Sequence, residues 1–279
     1  LSRDDVLDNV GEIISRSLDF VTKLKDEKGA IAKRLKLPTI YEETLRKIYD
    51  YFRKEGLLYH LAYTVKSASP RLIFSSIDSS TSWASALKSI NCVIHCAARA
   101  HIMNEEVADP LAEYRRVNVD GTLNLAQQSA DAGVKRFIYI SSIKVNGEST
   151  SGSVPFTEKE LAKPLDPYGV SKYEAEEGLK KIAEKTGMEV VIIRPPLVYG
   201  AGVKANFLNL LKLSNTGFPL PFGLVNNKRS MVYVENLVDF IIRCIDHPAA
   251  ANQTFLVSDN HDLSLSGLLR LIRNSMNKP

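Results

Sequence analysis

Tyr168 and Lys172 stand four residues apart in Tyr168-Gly-Val-Ser-Lys172, 26 residues beyond Ser142. Together the three residues make a proton-transfer set suited to redox chemistry on an alcohol or a ketone. Positions i and i+4 of a helix share a face, so this spacing puts the Lys172 ammonium beside the Tyr168 phenol. A positive charge there lowers a pKa that is about 10 when unperturbed. A phenolate formed near neutral pH is a usable general base. Ser142 ends the apolar run Arg136-Phe-Ile-Tyr-Ile-Ser-Ser142, which reads as a buried strand with its carboxyl end at the crevice of an α/β sheet. Its hydroxyl would hold the reacting oxygen. A tyrosine and a lysine at helical spacing are common in themselves, as a half-buried ring beside a solvated ammonium. The neighbouring segments therefore have to decide what the pair does.

Those segments alternate. Short apolar runs fall at 71–75, 91–97, 136–142, 189–194 and 253–257, and helical patterns separate them near 107–130, 168–186, 205–214, 234–246 and 264–275. Such alternation predicts an α/β fold with a mainly parallel sheet covered by helices. Upstream, Val6, Val10, Ile13, Ile14, Leu18, Val21 and Leu24 recur at spacings of three and four and predict an amphipathic helix over 4–25. Thr39-Ile-Tyr-Glu42 is a capping-box pattern that opens a second helix, with Gly56 as its stop and a strand over 57–65 after it. Residues 197–224 are richer in Gly, Pro and Asn and predict a smaller, looser lobe. The expected organisation is a helical segment over 1–56, a dinucleotide-binding domain over 57–196, and a substrate lobe with the remaining sheet elements over 197–279.

Composition narrows the class. A chain of 279 residues, 44% hydrophobic and 24% charged, can bury a full core. The net charge is +4, and residues 1–58 carry 12 Lys/Arg against 11 Asp/Glu, so no basic face points to nucleic acid. Three cysteines make no disulfide framework, and no long apolar run or leader pattern predicts membrane insertion or export. The expectation is a cytoplasmic protein that acts on a small, negatively charged substrate. Cys92, His95 and Cys96 do not suit a metal, because alternation along a strand turns His95 away from two cysteines roughly 13 Å apart.

Asn91-Cys-Val-Ile-His-Cys-Ala-Ala98, Asn118-Val-Asp-Gly121, Ile140-Ser-Ser142 with Val145-Asn-Gly147, Pro167-Tyr-Gly-Val-Ser-Lys172 and Arg194-Pro-Pro-Leu-Val-Tyr-Gly200 follow one order and one set of spacings. Together they resemble the extended short-chain dehydrogenase/reductase family, and within it the nucleotide-sugar epimerases and 4-ketosugar reductases of surface-polysaccharide synthesis. The resemblance runs from about Leu57 to the end. It implies a Rossmann-like doubly wound sheet, NAD or NADP as cofactor and a homodimer built on the helices near 107–130 and 168–186.

The resemblance also assigns residues. Ser142, Tyr168 and Lys172 would be catalytic. Lys66, Asp78, Ala97, Ala98, Tyr168, Lys172 and Pro195 would border the cofactor; Lys66 suits a 2′-phosphate and so favours NADP, and Asp78 reads equally as a turn former in its Ser-rich segment. His101, Ser142, Lys204, Asn206 and Arg229 would face the substrate, with the Arg229 guanidinium suited to a diphosphate. Asn118 would brace local backbone. The implied reaction is epimerisation at C4 of a UDP-hexose or UDP-N-acetylhexosamine, with C4 reduction of a UDP-4-keto sugar as the alternative. The family's opening strand and glycine-rich phosphate turn have no counterpart, since the only glycines before Leu57 are Gly11, Gly29 and Gly56. That departure motivates a third reading, a truncated non-catalytic module that still binds a sugar nucleotide.

Overall fold

In a computed structural model, residues 76–100, 109–150, 154–200, 205–215 and 227–277 are described. The helices expected over 4–25 and after Thr39, the strands expected over 57–65 and 71–75, and the site candidates Lys66, His101 and Lys204 all lie outside those residues. The chain divides into two units. Of the described residues, one unit comprises those within 76–196 and 239–257, the other those within 197–238 and 258–277.

The larger unit is built on four parallel strands in the order β1 (Cys92–His95), β2 (Arg136–Ile140), β3 (Glu189–Arg194) and β7 (Thr254–Leu256). Register is continuous across the sheet, with His95 opposite Tyr139, Ile140 opposite Ile193 and Arg194 opposite Leu256. β2 and β3 are buried at nearly every position, as Arg136-Phe-Ile-Tyr-Ile and Glu189-Val-Val-Ile-Ile-Arg require when helices cover both faces. β1 and β2 stop at His95 and Ile140, shorter than the runs expected over 91–97 and 136–142. Beyond them the chain turns, and a 3-10 turn over Ile143–Val145 is capped by Ser142.

Helices α1 (Ala84–Leu87), α3 (Thr122–Asp131) and α4 (Pro167–Thr186) supply the core on one face, where Trp83, Leu125, Ala126, Ala175 and Leu179 meet Phe137, Tyr139, Val190 and Ile192. The stretch expected as one helix over 107–130 is α2 (Pro110–Arg115), a π-helical segment (Arg116–Gly121) and α3 in succession. At its end a Cβ on Gly121 would lie 2.4 Å from the Ile77 side chain and 2.9 Å from the Ile77 backbone carbon, so only glycine lets these segments touch.

The helix ends are written in the local sequence. Asp166 caps α4, its carboxylate accepting the Gly169 N–H at 2.6 Å, with Pro167 at the first helical position. Gly187 closes α4 in the left-handed conformation at φ 75°. α4 carries a polar group into the core. Glu176 is fully buried and accepts Arg194 Nε at 3.0 Å, Arg194 Nη2 at 2.6 Å and the Ser141 hydroxyl at 2.5 Å. Arg194 Nη1 donates to Asn146 Oδ1 at 2.9 Å, and Asn146 Nδ2 donates to the Thr157 carbonyl at 2.8 Å. The ends of β2 and β3, the turn after β2 and α4 are thus tied at one carboxylate.

In the smaller unit β4 (Leu197–Tyr199) pairs in parallel with β6 (Met231–Tyr233), and β5 (Lys228–Arg229) pairs antiparallel with β8 (Leu263–Ser264). Helices α5 (Ala205–Asn215) and α7 (Leu265–Ser275) share a core of Tyr199, Phe207, Leu211, Met231, Leu268 and Ile272. Asp259 organises it by accepting from the Tyr199 hydroxyl at 2.8 Å, the Tyr233 N–H at 2.9 Å and Asn236 Nδ2 at 2.9 Å. The division between units falls within α6 (Val234–Cys244). Among the described residues no helix is long and apolar enough to cross a membrane, and no cluster of three metal-ligating side chains occurs.

Two stability outcomes follow. Gly121→Ala is expected to cost about 1–3 kcal/mol through overpacking against the Ile77 backbone, read as a lower urea midpoint at unchanged slope. Glu176→Gln leaves Arg194 buried without its counter-charge and is expected to cost about 3 kcal/mol or more on the same assay. A loss below about 1 kcal/mol would show that the pair is replaceable.

Candidate active site

The carboxyl edge of the parallel sheet collects the residues that sequence spacing had singled out. Ala97 and Ala98 follow β1, Ser141 and Ser142 follow β2, and Pro195 follows β3, with the Pro195 carbonyl accepting the Ile143 N–H at 3.0 Å. Ala97 packs against the core, and both alanines are half-buried. Across this edge run the first two turns of α4, which present Tyr168 and Lys172. The Ser142 hydroxyl lies near the Tyr168 phenol and favours its ionised form. Two hydroxyls therefore converge where an oxygen of a substrate can be held by both. Ser142 Oγ also accepts the Lys144 N–H at 3.2 Å, which fixes the serine at the start of its turn.

Lys172 is 1% exposed, and its Nζ donates to the Ile140 carbonyl at 2.7 Å. The ammonium lies 4.2 Å from the Tyr139 ring centroid and 6.0 Å from that of Tyr168. Burial pulls Lys172 down to about 7, against an opposing push from Glu176. Burial pushes the Tyr168 phenol up to about 12, with Asp166 and Tyr114 adding to the effect and the nearby Ser142 hydroxyl opposing it. The spacing argument expected the reverse, a phenol lowered by its lysine. The i+4 geometry holds, but the ammonium turns toward the Ile140 carbonyl and the Tyr139 face, and desolvation outweighs the remaining attraction. The site as folded presents Tyr168 as a proton donor.

The surroundings of the pair are braced. Asn118, in the π-helical segment, accepts the Arg99 N–H at 2.7 Å and donates to the Arg99 carbonyl and the Ser171 hydroxyl, each at 3.0 Å. It ties the segment after β1 to α4, the supporting part expected of it. A single π turn inside a helix is a frequent device at functional sites, and here it carries Asn118. The Tyr114 ring meets that of Tyr168 edge-on at 6.1 Å. Lys144 pairs with Asp166 and with Glu148, so the loop before α4 is held from its other side.

The Asp78 carboxylate closes its own turn, accepting the Ser80 N–H at 2.9 Å, the Ser80 hydroxyl at 2.6 Å and the Thr81 hydroxyl at 3.1 Å, and these bonds hold it well below the usual carboxylate range. Asp78 thus closes a local turn in its Ser-rich segment. Arg229 is exposed on β5 of the smaller unit, and Asn206 lies in the first turn of α5. Spacing arguments passed over Glu176, Arg194 and Tyr139 as site residues. A signal for two of them was present: Glu176 is one further i+4 step along the face of Tyr168 and Lys172, and Tyr139 alternates with Ser141 on one face of its strand.

A nicotinamide dinucleotide fits what is here. Lys172 makes one hydrogen bond with its three N–H donors, which leaves two for a diol such as a ribose, and the adjacent strand ends are small. The match to known proteins agrees. The family model for the NAD dependent epimerase/dehydratase family matches residues 46–258. The UDP-glucose 4-epimerase of Vibrio cholerae is 55% identical over 204 residues, 73% of this chain and 62% of that one. The N-acetyl-alpha-D-glucosaminyl-diphospho-ditrans,octacis-undecaprenol 4-epimerase of Escherichia coli O157:H7 is 32% identical over 195 residues, 69% of this chain and 57% of that one. The chain thus spans less than two thirds of the length of these relatives. The crystal structure of a UDP-glucuronic acid 4-epimerase from Bacillus cereus in complex with NAD superposes with a TM-score of 0.63 at 24% identity, over 72% of this chain and 64% of that one, a likeness of fold. With the match covering three quarters of its length and the sheet, the Ser142–Tyr168–Lys172 cluster and the braces around it in place, this chain belongs to the NAD dependent epimerase/dehydratase family.

Proposed function

We propose that the chain carries the site of a nucleotide-sugar C4 epimerase that uses NAD. The observation that carries this reading is the placement of Ser142, just past β2, and of Tyr168 beside a buried Lys172 on α4 at the carboxyl edge of the sheet, in a chain 55% identical to a UDP-glucose 4-epimerase. The cofactor supplies a hydride acceptor that returns the hydride in the second half of the cycle. The protein's part is to hold the C4 oxygen and move its proton. Ser142 donates to that oxygen and Tyr168 exchanges the proton with it, giving it up when a ketone becomes an alcohol and taking it when the alcohol is oxidised. Lys172 offers two N–H donors to the cofactor ribose and is the nearest cation to favour the phenolate during oxidation. Ala97, Ala98 and Pro195 would border the nicotinamide half, and Arg229, Asn206, Lys204 and His101 would reach the diphosphate and the sugar.

The identity to a UDP-glucose 4-epimerase supports a UDP-hexose as substrate, and a UDP-N-acetylhexosamine substrate and a place in surface-polysaccharide synthesis belong to the same proposal. NAD takes precedence over the NADP preference drawn from Lys66, because the solved relative is in complex with NAD. A homodimer through α2, α3 and α4 completes the reading. The protonated Tyr168 also suits one-way reduction of a 4-keto sugar, and the two readings part on whether fresh reduced nicotinamide is consumed.

Purified protein with NAD and no added reductant is expected to interconvert UDP-glucose and UDP-galactose, followed by anion-exchange chromatography. Tyr168→Phe should cut turnover at least a hundredfold (about 10²–10⁴ for a lost proton-transfer group) while leaving sugar-nucleotide affinity in place. Turnover that appears only with reduced nicotinamide would select the reductase.

Lys172→Met carries a second outcome. The folded-state value near 7 lies below the unfolded value of about 10.4, so the unfolded chain binds the extra proton between those limits and stability rises with pH across them. The methionine variant, free of that proton linkage, should be more stable than the parent by about 4 kcal/mol at pH 6, a gain that fades between about pH 7 and 10, while losing activity. A gain independent of pH would show that Lys172 is not buried in the ionised form.

A further inference from the structure

The Lys172 ammonium sits almost wholly out of water without a carboxylate hydrogen-bonded to it. Five groups face it. From β2 come the Ile140 carbonyl at 2.7 Å and the Tyr139 ring at 4.2 Å. From the segment after β1 comes the Cys96 thiol, pushed up by desolvation against an opposing pull from the Lys172 charge. From α4 itself come Tyr168, with its ring at 6.0 Å, and Glu176, whose carboxylate is engaged by Arg194 and Ser141. The Tyr139 ring is the nearest extended group able to favour a positive charge, through the negative face of its π system. It is also fixed. The residue is fully buried, stands opposite His95 in the sheet register, and stacks on the His95 ring at 5.8 Å and 22°. The His95 ring is itself held by a hydrogen bond between Nε2 and Thr122 Oγ1 at 2.9 Å.

We propose that Tyr139 is a positioning residue of the proton-transfer set, its ring face holding the Lys172 side chain in place and in its charged form. His95 and Thr122 act behind it by keeping the ring at that angle. The buried stack and ring face thereby do work that a carboxylate does elsewhere, with a difference of consequence. A carboxylate would occupy the ammonium's N–H donors, whereas a ring face leaves them for a ligand. The inference rests on reading Lys172 as part of an epimerase site, but its test does not require turnover.

The test follows the titration of Lys172 in the full chain labelled with 13C at lysine Cε, the signal being assigned by its loss in Lys172→Met. Tyr139→Phe keeps a ring face and should hold the midpoint within a few tenths of a pH unit of the parent. Tyr139→Leu removes the face and should lower the midpoint by about one pH unit. Phenylalanine analogues with one, two and three ring fluorines at position 139 keep the shape of the core while draining the ring face, so a stepwise fall across that series is expected even if the leucine variant fails to fold. A midpoint that does not move along the fluorine series, or that rises in Tyr139→Leu, would overturn the proposal. Absence of UDP-glucose and UDP-galactose interconversion in the parent would instead remove the epimerase reading, and the titration would still judge Tyr139.

Discussion

One carboxylate decides how the larger unit is held together. Glu176 projects from α4 into a place where water does not reach, and an ionised group survives there only when its charge and lone pairs are answered. The two-pronged bond from Arg194 supplies the charge and the Ser141 hydroxyl supplies the remaining donor. Because Arg194 closes β3 and Ser141 follows β2, satisfying Glu176 fixes the helix that carries Tyr168 and Lys172 relative to the strand ends that carry Ser142 and Pro195. The remaining Arg194 nitrogen, Nη1, extends the tie through Asn146 to the Thr157 backbone. Buried ion pairs contribute little to net stability when weighed against apolar side chains of the same size. What this one contributes is a single allowed arrangement at the edge where chemistry takes place, while Phe137, Ile138, Val191, Ile193 and Leu179 supply the driving force.

The same desolvation that makes Glu176 demanding sets the electrostatics of the site. Lys172 and Tyr168 are both pushed toward their neutral forms, since each would lose hydration on becoming charged. A phenol kept protonated is a good donor to a developing alkoxide, and a lysine poised near neutrality can still be charged by what surrounds it. The Ser142 hydroxyl favours the phenolate without offsetting burial, and the Tyr139 face and Glu176 favour the ammonium.

Much of this was legible in the chain. Tyr168 and Lys172 share a face because a helix has 3.6 residues per turn, and the Asp166-Pro167 start and Gly187 stop of that helix are local chemistry. Apolar runs over 136–140 and 189–194 could be read as doubly covered strands because nothing polar interrupts them, and the order of motifs identified the family. Less legible were the short pairings of the smaller unit, β4 with β6 and β5 with β8, whose two or three residues carry no periodicity. The π turn that aims Asn118 was likewise invisible, since Arg116–Gly121 scans as ordinary helix.

The sequence by itself determined which groups could do chemistry and which elements would carry them, because spacing along a helix or a strand is a property of the backbone alone. Tertiary structure alone decided their state. Whether Lys172 lowers Tyr168 or bends toward the Ile140 carbonyl, and whether Glu176 lies in water or against Arg194, depend on burial and on partners 18 to 35 residues away. Electrostatic energies change severalfold between water and a packed interior, so charge states follow from the assembled surroundings and from no local pattern.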